Sequence, residues 1–188
     1  MELLPHITDQ RLRELYLYWN SLRGERYAPP RAALDPAAIP RLLPHLMLAD
    51  IVEGGRRIRY RLVGTEVERN FGRLMTGRHV DEIMRGRYLD FINGLYRRLI
   101  EQRVPNYSEN SFRDLDSSHA VGHRPLRTAR IIMPLSSDGE HTDMALAGQV
   151  FFWEGPRGQA LDAMQDYFSI SLGEAKIVAP PAGTAHVS

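Results

Sequence analysis

The sequence predicts an α+β domain whose sheet is built from both ends of the chain, with short helices between. Three observations predict it. An early strand–turn–strand unit occupies Leu46–Val63. A short capped helix and then a longer amphipathic one follow it directly. Three further strand-like segments come after those helices, so strands bracket helices rather than alternate with them.

The first element is a helix that Thr8 or Asp9 can cap and that runs to about Arg23, closed by Gly24. Leu12, Leu15, Tyr16, Trp19 and Leu22 fall at helical spacing on one face. That face must meet either the domain's own sheet or a second copy of the chain, so these five residues are also the candidate dimer interface. Positions 1–43 are read as this helix plus a Pro-rich linker, with Asp35-Pro36 starting a single turn. The main domain spans 44–154.

Leu46–Val52 is an apolar strand interrupted by Asp50, and Gly54-Gly55 supplies the turn. Ile58–Val63 alternates with period two and ends at Gly64. Thr65-Glu66-Val67-Glu68 has the form of a capping box, Thr65 accepting from the Glu68 amide and Glu68 reaching back. Val67 and Phe71 share a face of this helix, and Gly72 stops it in a left-handed conformation. Arg78–Met84 is a single helical turn. Tyr88–Gln102 is the long helix, with Tyr88, Ile92, Leu95, Tyr96 and Leu99 on its apolar face and Pro105 ending it.

Asn106–Phe112 is polar and weakly patterned, as an edge strand is. Leu126–Leu135 is a stronger strand, and Asp138-Gly139 forms the next turn. Met144–Trp153 is continuously apolar, so both its faces should be covered. A last helix is expected over Leu161–Phe168 and a disordered tail over Pro180–Ser188, within a C-terminal region of 155–188.

Composition narrows the function classes. Lys+Arg is 24 against Asp+Glu 23, a net charge of +1, which is no footprint for nucleic acid or an anionic membrane. No apolar run approaches the ~20 residues that span a bilayer. The N-terminus lacks a basic start followed by an apolar core. The expected setting is the cytoplasm of a bacterium. The absence of cysteine excludes disulfides, thiolate nucleophiles and iron–sulfur clusters. His119 and His123, with Asp114 or Asp116, have a spacing that can hold a metal, but Gly122 and Pro125 oppose a helical presentation, so no metal site is assigned. No nucleophile-elbow, zinc-protease, P-loop or dinucleotide motif is present, so no catalytic residues are assigned either.

The segment Tyr60-Arg61-Leu62-Val63-Gly64-Thr65, then Phe71-Gly72 and Thr76-Gly77-Arg78, resembles the strand-to-helix passage of the PAS domain. Tyr18-Trp19 with Leu22-Arg23, Pro29 to Pro36, and Met133-Pro134-Leu135 with Asp138-Gly139 extend the resemblance to a bacterial group of single-domain PAS proteins long classed as a domain of unknown function. It covers about Leu15 to Phe152.

The resemblance implies a five-stranded antiparallel sheet with helices packed on one face, plus the N-terminal amphipathic helix. It implies a sensory or regulatory module in signal transduction that binds a small molecule, a partner protein or both, and is not an enzyme. The alternatives are a ligand-free dimerisation or docking module and, on weaker grounds, a small cone-shaped α+β hydrolase or isomerase. A homodimer is expected. The output partner would be a separate kinase or regulator, since about 35 residues after Trp153 are too few for an output domain. Lack of cysteine removes a cysteine-linked flavin or chromophore. The long helix has no histidine, which disfavours haem, and His79 before it reads as a polar or capping residue. The candidate pocket is Tyr60 and Leu62 from the second strand, Met84, Phe91 and Leu95 from the helical wall, and Tyr107, Asn110, Phe112, Arg130 and Gln149 from the last strands. An inward Arg130 would favour an anionic ligand.

Overall fold

The computed structural model describes residues 3–113, 127–152 and 171–178. Helix α1 spans Gln10–Arg23 and strand β1 spans Leu46–Val52. Then come β2 (Arg57–Val63), α2 (Thr65–Phe71), α3 (Val80–Ile83) and α4 (Gly86–Gln102). Strands β3 (Asn106–Arg113), β4 (Arg127–Leu135), β5 (Met144–Phe152) and β6 (Ser171–Val178) follow. All pairings are antiparallel and the order is β2-β1-β5-β4-β3-β6.

The five strands read from sequence form the expected antiparallel sheet. A sixth, β6, extends it by pairing with β3, Tyr107 opposite Val178 and Asn110 opposite Ala175. β3 is therefore an interior strand and not an edge. Its polar composition has another cause, described below. The expected helix over Leu161–Phe168, the tail over Pro180–Ser188 and the His119/His123 loop lie outside the described residues.

The sheet carries two apolar layers. Its inner face meets α2, α3 and α4, where Met47, Tyr60, Ile132, Ala145 and Ala147 are buried with Val67, Phe71, Ile83, Ile92, Leu95 and Leu99. Its outer face meets α1. Leu12, Leu15, Tyr16 and Trp19 are buried there among Leu46, Ile131, Met133, Leu135, Leu146 and Val150. The candidate dimer residues Leu12, Leu15, Tyr16 and Trp19 thus lie inside the chain's own core, and Leu22 is half-buried beside them. Continuous apolarity of β5 demands a cover on both faces, and α1 is the outer one. The fit is close. A Cβ on Gly148 would lie 2.6 Å from Leu15 Cδ2 and 2.9 Å from Leu12 Cδ2. The Trp19 indole N–H donates to the Pro134 carbonyl at 2.8 Å.

Asp9 caps α1, accepting from the amides of Arg11 and Leu12. Tyr18 fastens the linker, its hydroxyl accepting from the Asp35 amide at 2.7 Å. Asp50, buried in β1, takes Arg59 at 2.7 Å and Arg61 at 2.8 Å from β2. Burial opposes its charge, but the two guanidinium groups outweigh that and hold the carboxyl below its ordinary value.

The capping box at Thr65 is not formed. Gly64 is the N-cap, with no side-chain cap. Glu68 instead accepts from the amides of Met75 at 2.9 Å and Thr76 at 3.0 Å and from the Thr76 hydroxyl at 3.1 Å, tying down the chain after the helix. Those bonds offset the cost of its burial and hold its carboxyl below the usual value. Replacing Glu68 with alanine is expected to cost about 1–2 kcal/mol in urea unfolding, because two backbone amides lose their acceptor. A change within ~0.5 kcal/mol would mean solvent serves them equally well. Gly72 closes α2 in the left-handed region at φ 63°, as expected.

Candidate site on the inner face of the sheet

Strand alternation builds a polar patch in the inner layer. Register sets Asn106 opposite Ile132, Ser108 opposite Arg130 and Asn110 opposite Thr128. It also sets Arg130 opposite Gln149. Ile132 belongs to the inner core, so Asn106, Ser108, Asn110, Thr128, Arg130 and Gln149 share its face. None of the six is more than 2% exposed. The polar half of β3 therefore faces inward, and this is why the strand reads like an edge in sequence.

Helix α4 roofs the patch. Arg130 Nε donates to Gln149 Oε1 at 3.1 Å, and Arg130 Nη2 donates to the Tyr88 hydroxyl at 2.6 Å. The guanidinium carbon lies 5.9 Å from the Tyr88 ring centre. Thr128 Oγ1 donates to Asn110 Oδ1 at 3.2 Å, and Asn106 Nδ2 donates to the Leu95 carbonyl at 3.2 Å. Ser108 Oγ, Asn110 Nδ2, Gln149 Nε2 and Asn106 Oδ1 are buried and have no hydrogen-bond partner among the described residues. Burial pushes the Tyr60 and Tyr96 hydroxyls well above the ordinary phenol value, and they bond to one another. Both stay neutral.

Of the sequence-predicted pocket residues, Tyr60, Met84, Leu95, Asn110, Arg130 and Gln149 are buried in this layer, with Phe91 packed at its margin. Leu62 and Tyr107 are not there. The β1–β2 register shifts between Leu48 and Ala49, so that Leu48 faces Leu62 and Ala49 faces Tyr60. The extra residue breaks the alternation that put Tyr60 and Leu62 on one face, and Leu62 is 45% exposed. Tyr107 lies one residue from Ser108 and so on the outer face, where its hydroxyl meets Thr8 and Glu109. Burial beside the Glu109 carboxylate pushes Tyr107 up to about 12. The Phe112 side chain lies outside the described residues.

Sequence reasoning left Asn106, Ser108 and Thr128 out of the pocket and read Tyr88 and Tyr96 only as helix packing. The signal was available: Asn106, Ser108 and Asn110 alternate, as do Thr128 and Arg130. His79 caps α3, its amide and Nδ1 both 3.2 Å from the Glu82 carboxylate. Among the described residues no cluster of three metal-ligating side chains occurs, and no helix is long and apolar enough to cross a membrane.

No curated protein matches this chain. The PAS domain of BvgS from Bordetella pertussis, a solved structure, aligns at 14% identity and a TM-score of 0.33, covering 82% of this chain and 96% of that one. A family model described as a PAS domain matches residues 7–150. That span takes in α1, the inner layer and the sheet from β1 nearly to the end of β5, and the chain belongs to the PAS domain family.

Proposed function

We propose that this PAS domain is a sensory module that binds a small molecule between α4 and the inner face of the sheet, and hands the signal to a separate kinase or regulator. It performs no catalysis of its own and works as a homodimer. The observation that carries the reading is the set of buried polar atoms of Asn106, Ser108 and Asn110 on β3 and Gln149 on β5 that lack hydrogen-bond partners among the described residues. Leaving such groups unpaired costs about 1–3 kcal/mol each, so a ligand that pairs them gains what the empty site forgoes.

One observation favours the alternative, a ligand-free docking module. The Tyr88 hydroxyl meets Arg130 within the protein itself, as in a core that is already complete.

Native mass spectrometry of the purified protein, with a thermal-shift screen of metabolites, tests the choice. A co-purifying molecule, or a compound that raises Tm by roughly 5–10 °C near a hundredfold excess over Kd, is the expected result. An empty protein that no metabolite stabilises would favour the docking module.

A further inference from the structure

We propose that His45 couples the outer layer of the domain to the inner one through a proton. Neutral, it holds Arg11 of α1; protonated, it lets go of Arg11 and turns to Glu66 of α2. The device works whatever fills the inner layer, so it stands apart from the small-molecule reading.

His45 ends the short 3-10 turn Leu43–His45 that leads into β1. The backbone of that turn lies against α2. The Gly64 N-cap comes so near the Leu43 and Pro44 carbonyl oxygens that a Cβ would stand 2.4 Å from each. The imidazole reaches α1, with Nε2 3.3 Å from Arg11 Nη1. A guanidinium can only donate, so Nε2 accepts and the neutral ring carries its proton on Nδ1. Nδ1 is buried with no partner among the described residues, so among them Arg11 is the ring's one hydrogen-bond partner.

Arg11 is itself fastened to the cap of α1, its Nε 3.1 Å from Asp9 Oδ1 and its Nη2 2.8 Å from Oδ2. Burial opposes the Asp9 charge, but Arg11 outweighs it and holds the carboxyl below its ordinary value. A proton on Nε2 therefore sets two donors and two like charges face to face, and Arg11 cannot retreat without pulling on the cap. The repulsion falls on the first turn of α1. Glu66, in the first turn of α2 and paired with Arg69, acts on both His45 and Arg11 and draws the charged ring.

The charged groups facing His45 are thus Arg11 and Asp9 from α1 and Glu66 from α2. Burial first, and then Arg11, hold the ring below its ordinary value of 6.5, against the pull of Glu66 and Asp9. The folded state binds this proton less readily than the unfolded chain does. The stability that the neutral ring contributes is whole above pH 6.5 and is lost as the pH falls from there through the ring's folded value.

The test is an NMR titration of the imidazole in the full chain from about pH 8 to about pH 5, with His45→Gln or His45→Asn identifying its signal. The midpoint is expected below 6.5, rising in Arg11→Met and falling in Glu66→Gln. Hydrogen exchange in the first turns of α1, corrected for the intrinsic rate, should run roughly 3–10-fold faster at the acid end, and His45→Gln should remove the difference. A midpoint at or above 6.5, or one that Arg11→Met leaves in place, would overturn the coupling to α1. A midpoint unmoved by Glu66→Gln would overturn the turn to α2. Acid-accelerated exchange that persists in His45→Gln, or none in the wild type, would overturn the switch, and each of these results would leave the small-molecule reading intact.

Discussion

Replacing Trp19 with alanine is expected to destabilise the isolated domain by about 3–5 kcal/mol, the largest effect of any truncation considered. The ring is 2% exposed in the outer layer, stacked on Tyr16 at 6.2 Å between ring centres. Its loss opens a cavity beneath α1. It also strips the Pro134 carbonyl of the indole donor 2.8 Å away. Urea unfolding followed by far-UV circular dichroism gives the measurement, and sedimentation equilibrium run beside it separates two roles for the helix. A large stability loss at unchanged association constant fits the intramolecular packing. Unchanged stability with weakened association would return Trp19 to a dimer interface.

The second large effect is expected from a single methyl group. Gly64→Ala should cost about 2–3 kcal/mol, the upper part of the range for overpacking, and lower Tm by roughly 4–12 °C. A Cβ there would lie 2.4 Å from both the Leu43 and the Pro44 carbonyl oxygens. Backbone atoms cannot swing aside as a side chain can. The residue's φ of −69° is ordinary, so the whole penalty is steric. The Gly64 amide also donates to the Leu46 carbonyl at 2.7 Å, which holds the two segments at that separation. Gly94, exposed in the middle of α4 with nothing within 4 Å of its would-be Cβ, is the control. Gly94→Ala should raise stability by about 0.5–1 kcal/mol by restricting the unfolded chain. Similar outcomes for the two substitutions would refute the close-approach account.

Much of this architecture is readable in sequence because its elements are local. The period of the long helix picks out Tyr88, Ile92, Leu95, Tyr96 and Leu99, and all five are buried. Gly54, Gly72 and Gly139 occupy positive-φ turns at the points where the strands and α2 end. What sequence does not reveal depends on distant partners. The bulge that turns Leu62 outward is set by β1 against β2 and leaves no mark on composition. Glu68 fits a capping-box spacing as well as it fits the loop seven and eight residues on, and in the fold it serves the loop. β3 looks like an edge because polar residues in a strand ordinarily mean solvent. Here they mean one another, and Arg130, across two neighbouring strands.

The placement of α1 on the outer face of the sheet also bears on how the protein is made. Its apolar side, Leu12 to Trp19, rests on β4 and β5, which begin at Arg127 and Met144. A ribosome adds about 5–20 residues per second, so the N-terminal helix emerges roughly 6–25 s before the strands that cover it. Strand β1 waits roughly 5–20 s for its β5 neighbour. For that interval the nascent chain carries a greasy helix and a half-paired hairpin with nothing native to bind. Chaperone occupancy during translation should accordingly peak before residue 150 and fall once β5 has cleared the exit tunnel.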